Sequence, residues 1–385
     1  MGEAERRPGA VTKVVIVTND FPPRPGGIQS FVHGLALRTP DVAVYAPAWP
    51  GCAEFDRRQP YRMVRHPTRL MLPTPAVARR AARLMAEHEA DTVVFGAAAP
   101  LGLLAPHLRR AGARRVVMLT HGHEASWASA PGFRAVLRRI GEHADVVTYL
   151  GEYTRQRLVA AIPPDKLVRL APGVDAGLFR PGAPRAELGL HDRPVVACVS
   201  RLVPRKGQDQ LIRAWPRVLR AVPGAVLLLV GGGPYRRTLE RLAAGHESIR
   251  FTGTVPAASL PGYYAAADVF AMPCRTRLGG VDVEGLGIVF LEASATGLPV
   301  VAGASGGAPD AVRHGETGLV VDGTDPEEIA QAIVELLSDP DKARKMGAGG
   351  RDWIAREWSW EHVAARFQSL LQAPPAPSNP SSTPA

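Results

Sequence analysis

Four charged side chains, Arg201, Lys206, Glu284 and Glu292, stand in contexts suited to holding a phosphorylated ligand. The first two lie in Ser200-Arg201-Leu202-Val203-Pro204-Arg205-Lys206-Gly207, directly after the apolar run Val195 to Val199. Arg201 offers a planar fork of donors and Lys206 a mobile point charge; together they can neutralise a departing diphosphate without a metal. The carboxylates open and close Glu284-Gly285-Leu286-Gly287-Ile288-Val289-Phe290-Leu291-Glu292, the first in a glycine-rich loop and the second inside the helix which that loop starts. By helical rise alone such a spacing covers about 12 Å, a span that one nucleotide-sugar can bridge. The amides of Gly285, Leu286, Gly287, Ile288 and Val289 would present a helix N-terminus to a phosphate or sugar oxygen. Paired carboxylates also serve glycoside hydrolysis, but the anion-binding glycines beside them favour phosphate. For Arg201 and Lys206 the plain alternative is a pair of solvated loop cations.

A second glycine-rich segment, Pro22-Pro23-Arg24-Pro25-Gly26-Gly27-Ile28-Gln29-Ser30, follows the opening apolar run and leads into a helix from about Ile28. Gly26 and Gly27 let backbone N–H groups come close to a phosphate, and the helix dipole favours an anion there. The spacing is not G-x-G-x-x-G, so this is no dinucleotide fingerprint. A simple turn is the alternative.

Positioning these groups falls to alternating β-rich runs and helical stretches, the pattern of parallel sheets with helices on both faces. In the first half, strands are expected at Val14 to Val17, Val42 to Ala46, Thr92 to Phe95, Val116 to Leu119 and Val146 to Tyr149. In the second they fall at Val195 to Val199, Ala225 to Val230, Ile249 to Phe251, Val269 to Met272, Val300 to Ala302 and Gly318 to Val321. Pro172, Gly173, Pro181, Gly182 and Pro184 mark the boundary between the halves. Arg201 and Lys206 then lie beyond the carboxyl end of a parallel strand, where open α/β sheets bind their ligands. An amphipathic helix from Ser359, its cap, to about Leu371 carries Val363, Phe367 and Leu370 on one face and is expected to pack back on the first domain.

Bulk properties narrow the class. A chain of 385 residues, 46% of them hydrophobic and 21% charged, fits two globular domains with a cleft. Its three cysteines, Cys52, Cys198 and Cys274, form no CxxC pair and suit a reducing cytoplasm. The polar opening MGEAERRPGA has no apolar signal core, and no run reads as a membrane span. A net charge of +10 suits anionic partners; with no zinc finger, RNP-like strand or basic zipper, nucleic acid is not expected as a partner. Val77 to His88 places Val77, Ala81, Leu84, Met85 and His88 on one helical face beside Arg79, Arg80 and Arg83. That is the pattern of a basic helix lying on anionic lipid, or of an ordinary surface helix packed on its sheet.

The conjunction of Gly26-Gly27, Arg201 with Lys206, Gly231-Gly232-Gly233-Pro234 after a strand, and Glu284 eight residues before Glu292 resembles the retaining family-4 glycosyltransferases of the GT-B fold, over residues 14 to 372. The runs TNDFPPRPGGIQSF, HGHE, SRLVPRKGQD, VGGGPY and MPCRTR with DVEGLGIVFLEASATGLPV are similar to the actinobacterial members that use GDP-mannose and a phosphatidylinositol monomannoside acceptor. The resemblance implies an α/β protein of two Rossmann-like doubly wound domains facing a deep cleft. The acceptor domain would span 13–172 and the nucleotide-sugar domain 173–355, with a helix crossing back over 356–372 between a flexible 1–12 and a disordered tail, 373–385. It further implies a cytoplasmic enzyme, peripheral on the inner, anionic face of the plasma membrane.

Carried onto this sequence, the resemblance has Arg201 and Lys206 hold the diphosphate, Glu284 and the following amides the mannose hydroxyls, and Glu292 the ribose hydroxyls. Val255 would meet guanine through its main chain, and Gly26 and Gly27 would close on phosphates and acceptor. His121, in Thr120-His121-Gly122-His123-Glu124, aligns with the family's active-site histidine; His123 competes for that place, and a structural loop histidine is the plain alternative. The matched motifs contain no carboxylate placed as a nucleophile, which favours front-face substitution over double displacement. They contain no DxD-type metal site either, so no cofactor is expected beyond Mg²⁺ accompanying the nucleotide, and Asp282 is the carboxylate to watch. Two other readings use the same residues: a family member with a different sugar nucleotide or acceptor, and a non-enzymatic module that binds a nucleotide-sugar or lipid.

Overall fold

Valine-rich runs of four to seven residues, apolar on both faces, are what parallel sheets require when helices cover them front and back. The computed structural model describes residues 11–122, 124, 128, 131–183, 188–190 and 193–372, and its chain divides into two compact units. The first ten residues, His123 and the tail 373–385 lie outside the described residues.

The first unit takes the chain up to Tyr149, Arg155–Leu170 and the chain from Ala364 onward. Its parallel sheet comprises β1 (Lys13–Val17), β2 (Asp41–Pro47), β3 (Arg62–His66), β4 (Thr92–Phe95), β5 (Arg115–Met118), β6 (Val146–Tyr149) and β7 (Leu167–Arg169). Their order is β3-β2-β1-β4-β5-β6-β7. The order reverses between β1 and β4, which puts a ligand crevice outside their carboxyl ends. β3 and β7 were not expected. Both lie at sheet edges, where one open flank admits polar residues. β3 reads Arg-Met-Val-Arg-His, and β7 is three half-buried residues long.

The helix Pro75–His88 begins on a Thr74 cap, with Pro75 in its first turn. Its apolar face is not a lipid-binding face: Val77, Ala81, Leu84 and Met85 are buried in the core of the first unit, and His88 pairs with Asp41 at 3.0 Å. Arg79, Arg80 and Arg83 remain exposed. The apolar stripe is thus that of a packed surface helix, and the arginines beside it are left on the outer face. The C-terminal helix, Trp360–Gln372, is capped by Ser359, whose Oγ accepts from His362 N at 3.2 Å. Within the first unit Arg115 Nε donates to Leu370 O at 2.9 Å and Gln368 to Arg38 O at 3.0 Å.

The second unit holds Leu150–Thr154 and Ala171–Val363. Its strands are β8 (Val195–Val199), β9 (Val226–Val230), β10 (Ile249–Gly253), β11 (Val269–Met272), β12 (Val300–Gly303) and β13 (Gly318–Val321), in the order β10-β9-β8-β11-β12-β13. All pairings are parallel, and the reversal falls between β8 and β11. Trp215, Phe270, Phe290 and Trp358 anchor the core on the two faces. Among the described residues no helix is long and apolar enough to cross a membrane.

Candidate functional site

In the second unit the candidate residues follow the carboxyl ends of four neighbouring strands, β10, β9, β8 and β11. Arg201 and Lys206 follow β8, Gly231 follows β9, Val255 follows β10, and the segment leading to Glu284 follows β11. The turn Pro204–Lys206 ends at Gly207, whose φ of 76° opens the helix Gln208–Ala221. A Cβ there would come within 1.9 Å of Pro273 O, so only glycine allows this approach between the loops after β8 and β11.

That approach brings together two residues far apart in sequence. Lys206 Nζ donates to Glu284 Oε2 at 2.5 Å, with side chains 11% and 8% exposed. Arg201 is different. It is exposed, and among the described residues its guanidinium forms no ion pair or hydrogen bond. Its carbonyl accepts from Gln208 Nε2 at 3.1 Å, and the same amide donates to Ser200 Oγ at 2.7 Å, which fixes the turn that carries Arg201. The two cations are thus unequal: one is already paired and the other is open to a ligand.

The Glu284 loop is set by glycines on both sides. Glu284 O accepts from Gly307 N at 2.9 Å, and a Cβ on Gly306 or Gly307 would strike Glu284 O or Gly285 O at 2.1 and 2.2 Å. Ser305-Gly306-Gly307 was missed as part of the site, although glycines directly after a strand were the signal that singled out Gly26-Gly27. The helix proper is Ile288–Thr296, started by Gly287 at φ 83°. Half of the Glu284-to-Glu292 segment is therefore loop. The loop frees donors: among the described residues the N–H groups of Gly285, Leu286, Gly287, Ile288 and Val289 meet no protein acceptor. Five adjacent open amides at a helix N-terminus form a seat for an anion or a hydroxyl oxygen.

Glu292 has a partner of its own. Its Oε2 accepts from Tyr264 Oη at 2.7 Å, and burial pushes its carboxyl up to about 7 although that hydrogen bond favours the charged form. Asp282 is engaged elsewhere, at 3.5 Å from Arg205 and 3.2 Å from Arg277. It fastens the loop Arg277–Asp282, whose ends also exchange backbone hydrogen bonds. Val255 is half-buried against the core beyond β10.

In the first unit the helix Gly27–Leu37 starts from Gly26 at φ 154°, ψ 160°, with no side-chain cap and no acidic residue in its first turn. That conformation belongs almost to glycine alone. Gln29 donates to Asp20 Oδ1 at 2.7 Å, tying the helix start to the end of β1. His121 follows β5. Its Nε2 meets Gly96 O after β4, its ring packs edge-on to Phe31 at 5.9 Å, and its amide donates to the fully buried Glu124 at 2.9 Å. A carbonyl only accepts, so Nε2 carries the proton. Glu124, which holds the His121 turn, was not foreseen. Among the described residues no group of three or more His, Cys, Asp or Glu side chains gathers as metal ligands.

Two family models match the chain: Glycosyltransferase Family 4 over residues 26–178 and Glycosyl transferases group 1 over residues 183–353. The chain is 55% identical, over 93% of its length and 98% of the relative's, to the GDP-mannose-dependent alpha-(1-6)-phosphatidylinositol monomannoside mannosyltransferase of Mycolicibacterium smegmatis. It is 46% identical, over 95% and 99% of the two chains, to the corresponding monoacylated-acceptor enzyme of Corynebacterium glutamicum. Among solved structures, the Anabaena protein HepE in complex with UDP superposes with a TM-score of 0.78 at 21% identity, over 94% of this chain and 99% of that one.

Proposed function

Since the chain belongs to the family-4 glycosyltransferases of GT-B type, we infer that it is a GDP-mannose-dependent α-mannosyltransferase adding an α-(1-6) mannose to a phosphatidylinositol monomannoside. The observation that carries the donor reading is the buried Lys206–Glu284 pair beside five open amides. A nucleotide-diphosphate sugar brings an oxygen for the lysine, hydroxyls for the carboxylate and further oxygens for the amides.

In this reading Arg201 and Lys206 take the diphosphate, Glu284 and the amides from Gly285 to Val289 the mannose, Glu292 the ribose and the Val255 main chain the guanine. Gly26 and Gly27 open the first-unit helix Gly27–Leu37 to an anion. His121, whose Nε2–H faces Gly96 O, steadies the sugar through its imidazole or its backbone. The bond from the anomeric carbon to the phosphate oxygen breaks while the acceptor hydroxyl forms its own bond on the same face. The hydroxyl's proton passes to the departing phosphate oxygen. Arg201 and Lys206 stabilise the charge that grows there, at about 3–4 kcal/mol for such a preorganised donor. No resident metal enters this scheme; Mg²⁺ would travel with the nucleotide.

For the lipid acceptor, the chain works on an anionic membrane surface as a peripheral protein on its inner face. Exposed Arg79, Arg80 and Arg83 support this, together with exposed Leu70 and Leu72 on the loop before their helix. That loop is fastened by Asn19, which exchanges hydrogen bonds of 3.0 and 2.8 Å with the Met71 backbone.

The test is turnover of radiolabelled GDP-mannose and UDP-glucose against phosphatidylinositol and its monomannoside. A dimannoside formed from GDP-mannose and the monomannoside is expected. Preference for UDP-glucose, or for unmannosylated phosphatidylinositol, would overturn the substrate reading.

A further inference from the structure

Glu292 has one side-chain partner among the described residues, and that partner is itself fully buried. Tyr264, on the helix Leu260–Ala265, is 0% exposed, stacked on Phe270 at 5.6 Å and edge-on to Phe179 at 5.5 Å. A phenol within an apolar cluster needs a polar mate for its O–H, and here the mate is Glu292 Oε2 at 2.7 Å. The carboxylate torsion of a glutamate is otherwise broad. Holding one oxygen from the core side fixes that torsion and leaves the other oxygen to meet a ligand.

We propose that Tyr264 is a positioning residue for the donor's ribose, its hydroxyl holding Glu292 in the rotamer that accepts both ribose O–H groups. The proposal rests on the reading of Glu292 as the ribose contact. Packed rings fix the phenol, the phenol fixes the carboxylate, and the carboxylate selects a vicinal diol. The other titratable groups on neighbouring elements are otherwise engaged. Cys198 on β8 is a buried thiol pushed up to about 12. Arg351, from the helix Pro340–Glu357, donates to Ala295 O at 2.6 Å. Asp310, on the turn Ala308–Ala311, accepts from Tyr153 N at 3.2 Å.

The experiment compares the wild type, Tyr264→Phe and Glu292→Gln with GDP-mannose and its 2′,3′-dideoxy analogue as donors, across pH of about 5.5 to 8.5. Tyr264→Phe keeps the ring and removes only the hydroxyl. It should raise KM for GDP-mannose by about tenfold with kcat held, and leave KM for the dideoxy donor in place. The acidic limb of kcat/KM should also move to higher pH, because the carboxylate loses the bond that favours its charged form. Discrimination between donors is a ratio, so any loss of folded protein cancels. Equal losses on both donors, or an unmoved acidic limb, would overturn the proposal while leaving the ribose reading intact. Glu292→Gln that still discriminates between the donors would overturn the ribose reading and the proposal with it.

Discussion

Lys206 and Glu284 neutralise each other in a nearly closed place, so removing one strands the other. At 2.5 Å the attraction is about 7 kcal/mol with an effective dielectric of 20, and desolvation of two ions offsets several kcal/mol of it. Removing one charge, as in Lys206→Met or Glu284→Gln, should therefore destabilise the second unit by about 3–5 kcal/mol. For a unit of this size each kcal/mol moves Tm by about 2–4 °C, so the drop should be roughly 6 to 20 °C. The neutral double variant Lys206→Met with Glu284→Gln should recover most of that loss and remain inactive. Thermal unfolding of the wild type, both singles and the double closes a double-mutant cycle. Single variants that melt with the wild type would refute the buried pair. A double variant as unstable as the sum of the singles would refute their interaction. Turnover must be corrected for folded fraction before either residue is assigned a share of kcat.

Arg201 is open where Lys206 is paired, so Arg201→Ala should leave Tm within about 1 °C while kcat falls by about 10²–10³; unchanged kcat in a steady-state assay would remove it from the reaction. Burial raises Glu292 to about 7, so the folded chain binds that proton more tightly than the unfolded one and loses stability as pH rises through the interval from its ordinary value to about 7. Glu292→Gln should accordingly raise Tm at pH 8 more than at pH 5; melts that shift equally at both would contradict the assignment. Arg79, Arg80 and Arg83 changed together to Glu should reduce co-sedimentation with anionic vesicles, with Tm little altered; binding that ignores both the change and the vesicle charge would exclude that face. On the buried side of the same helix, Leu84→Ala should cost about 2–5 kcal/mol, read by denaturant unfolding.

Most of the fold was legible because buried parallel strands write themselves as unbroken apolar runs: Thr92–Phe95, Val146–Tyr149, Val195–Val199, Val269–Met272 and Gly318–Val321 coincide with the expected bounds. β3 and β7 were not legible, since an edge strand buried on fewer sides keeps its arginines and histidine. The members of the candidate site were visible as types, but their pairing was not. Nothing in sequence tells Lys206 that its mate stands beyond β11, or Glu292 that Tyr264 lies under it; those facts follow from the strand order. For Val77 to His88, periodicity alone could not separate a lipid-facing stripe from a core-facing one. Burial of Leu84 and Met85 decides for the core.

The Lys206–Glu284 contact also bears on which molecules the site would admit. A bare phosphate or nucleotide offers the lysine a partner but leaves the buried carboxylate without its cation, so it must work against the ion pair. On the proposed donor reading, a sugar nucleotide would compensate both halves at once, its phosphate for the ammonium and its hydroxyls for the carboxylate. The contact thus behaves as a two-key lock. On the same reading, once mannose had left, GDP would hold only one key, and the closing of Glu284 back onto Lys206 would favour its release. GDP should then compete with GDP-mannose more effectively in a Glu284→Gln protein than in the wild type, a comparison open to equilibrium binding.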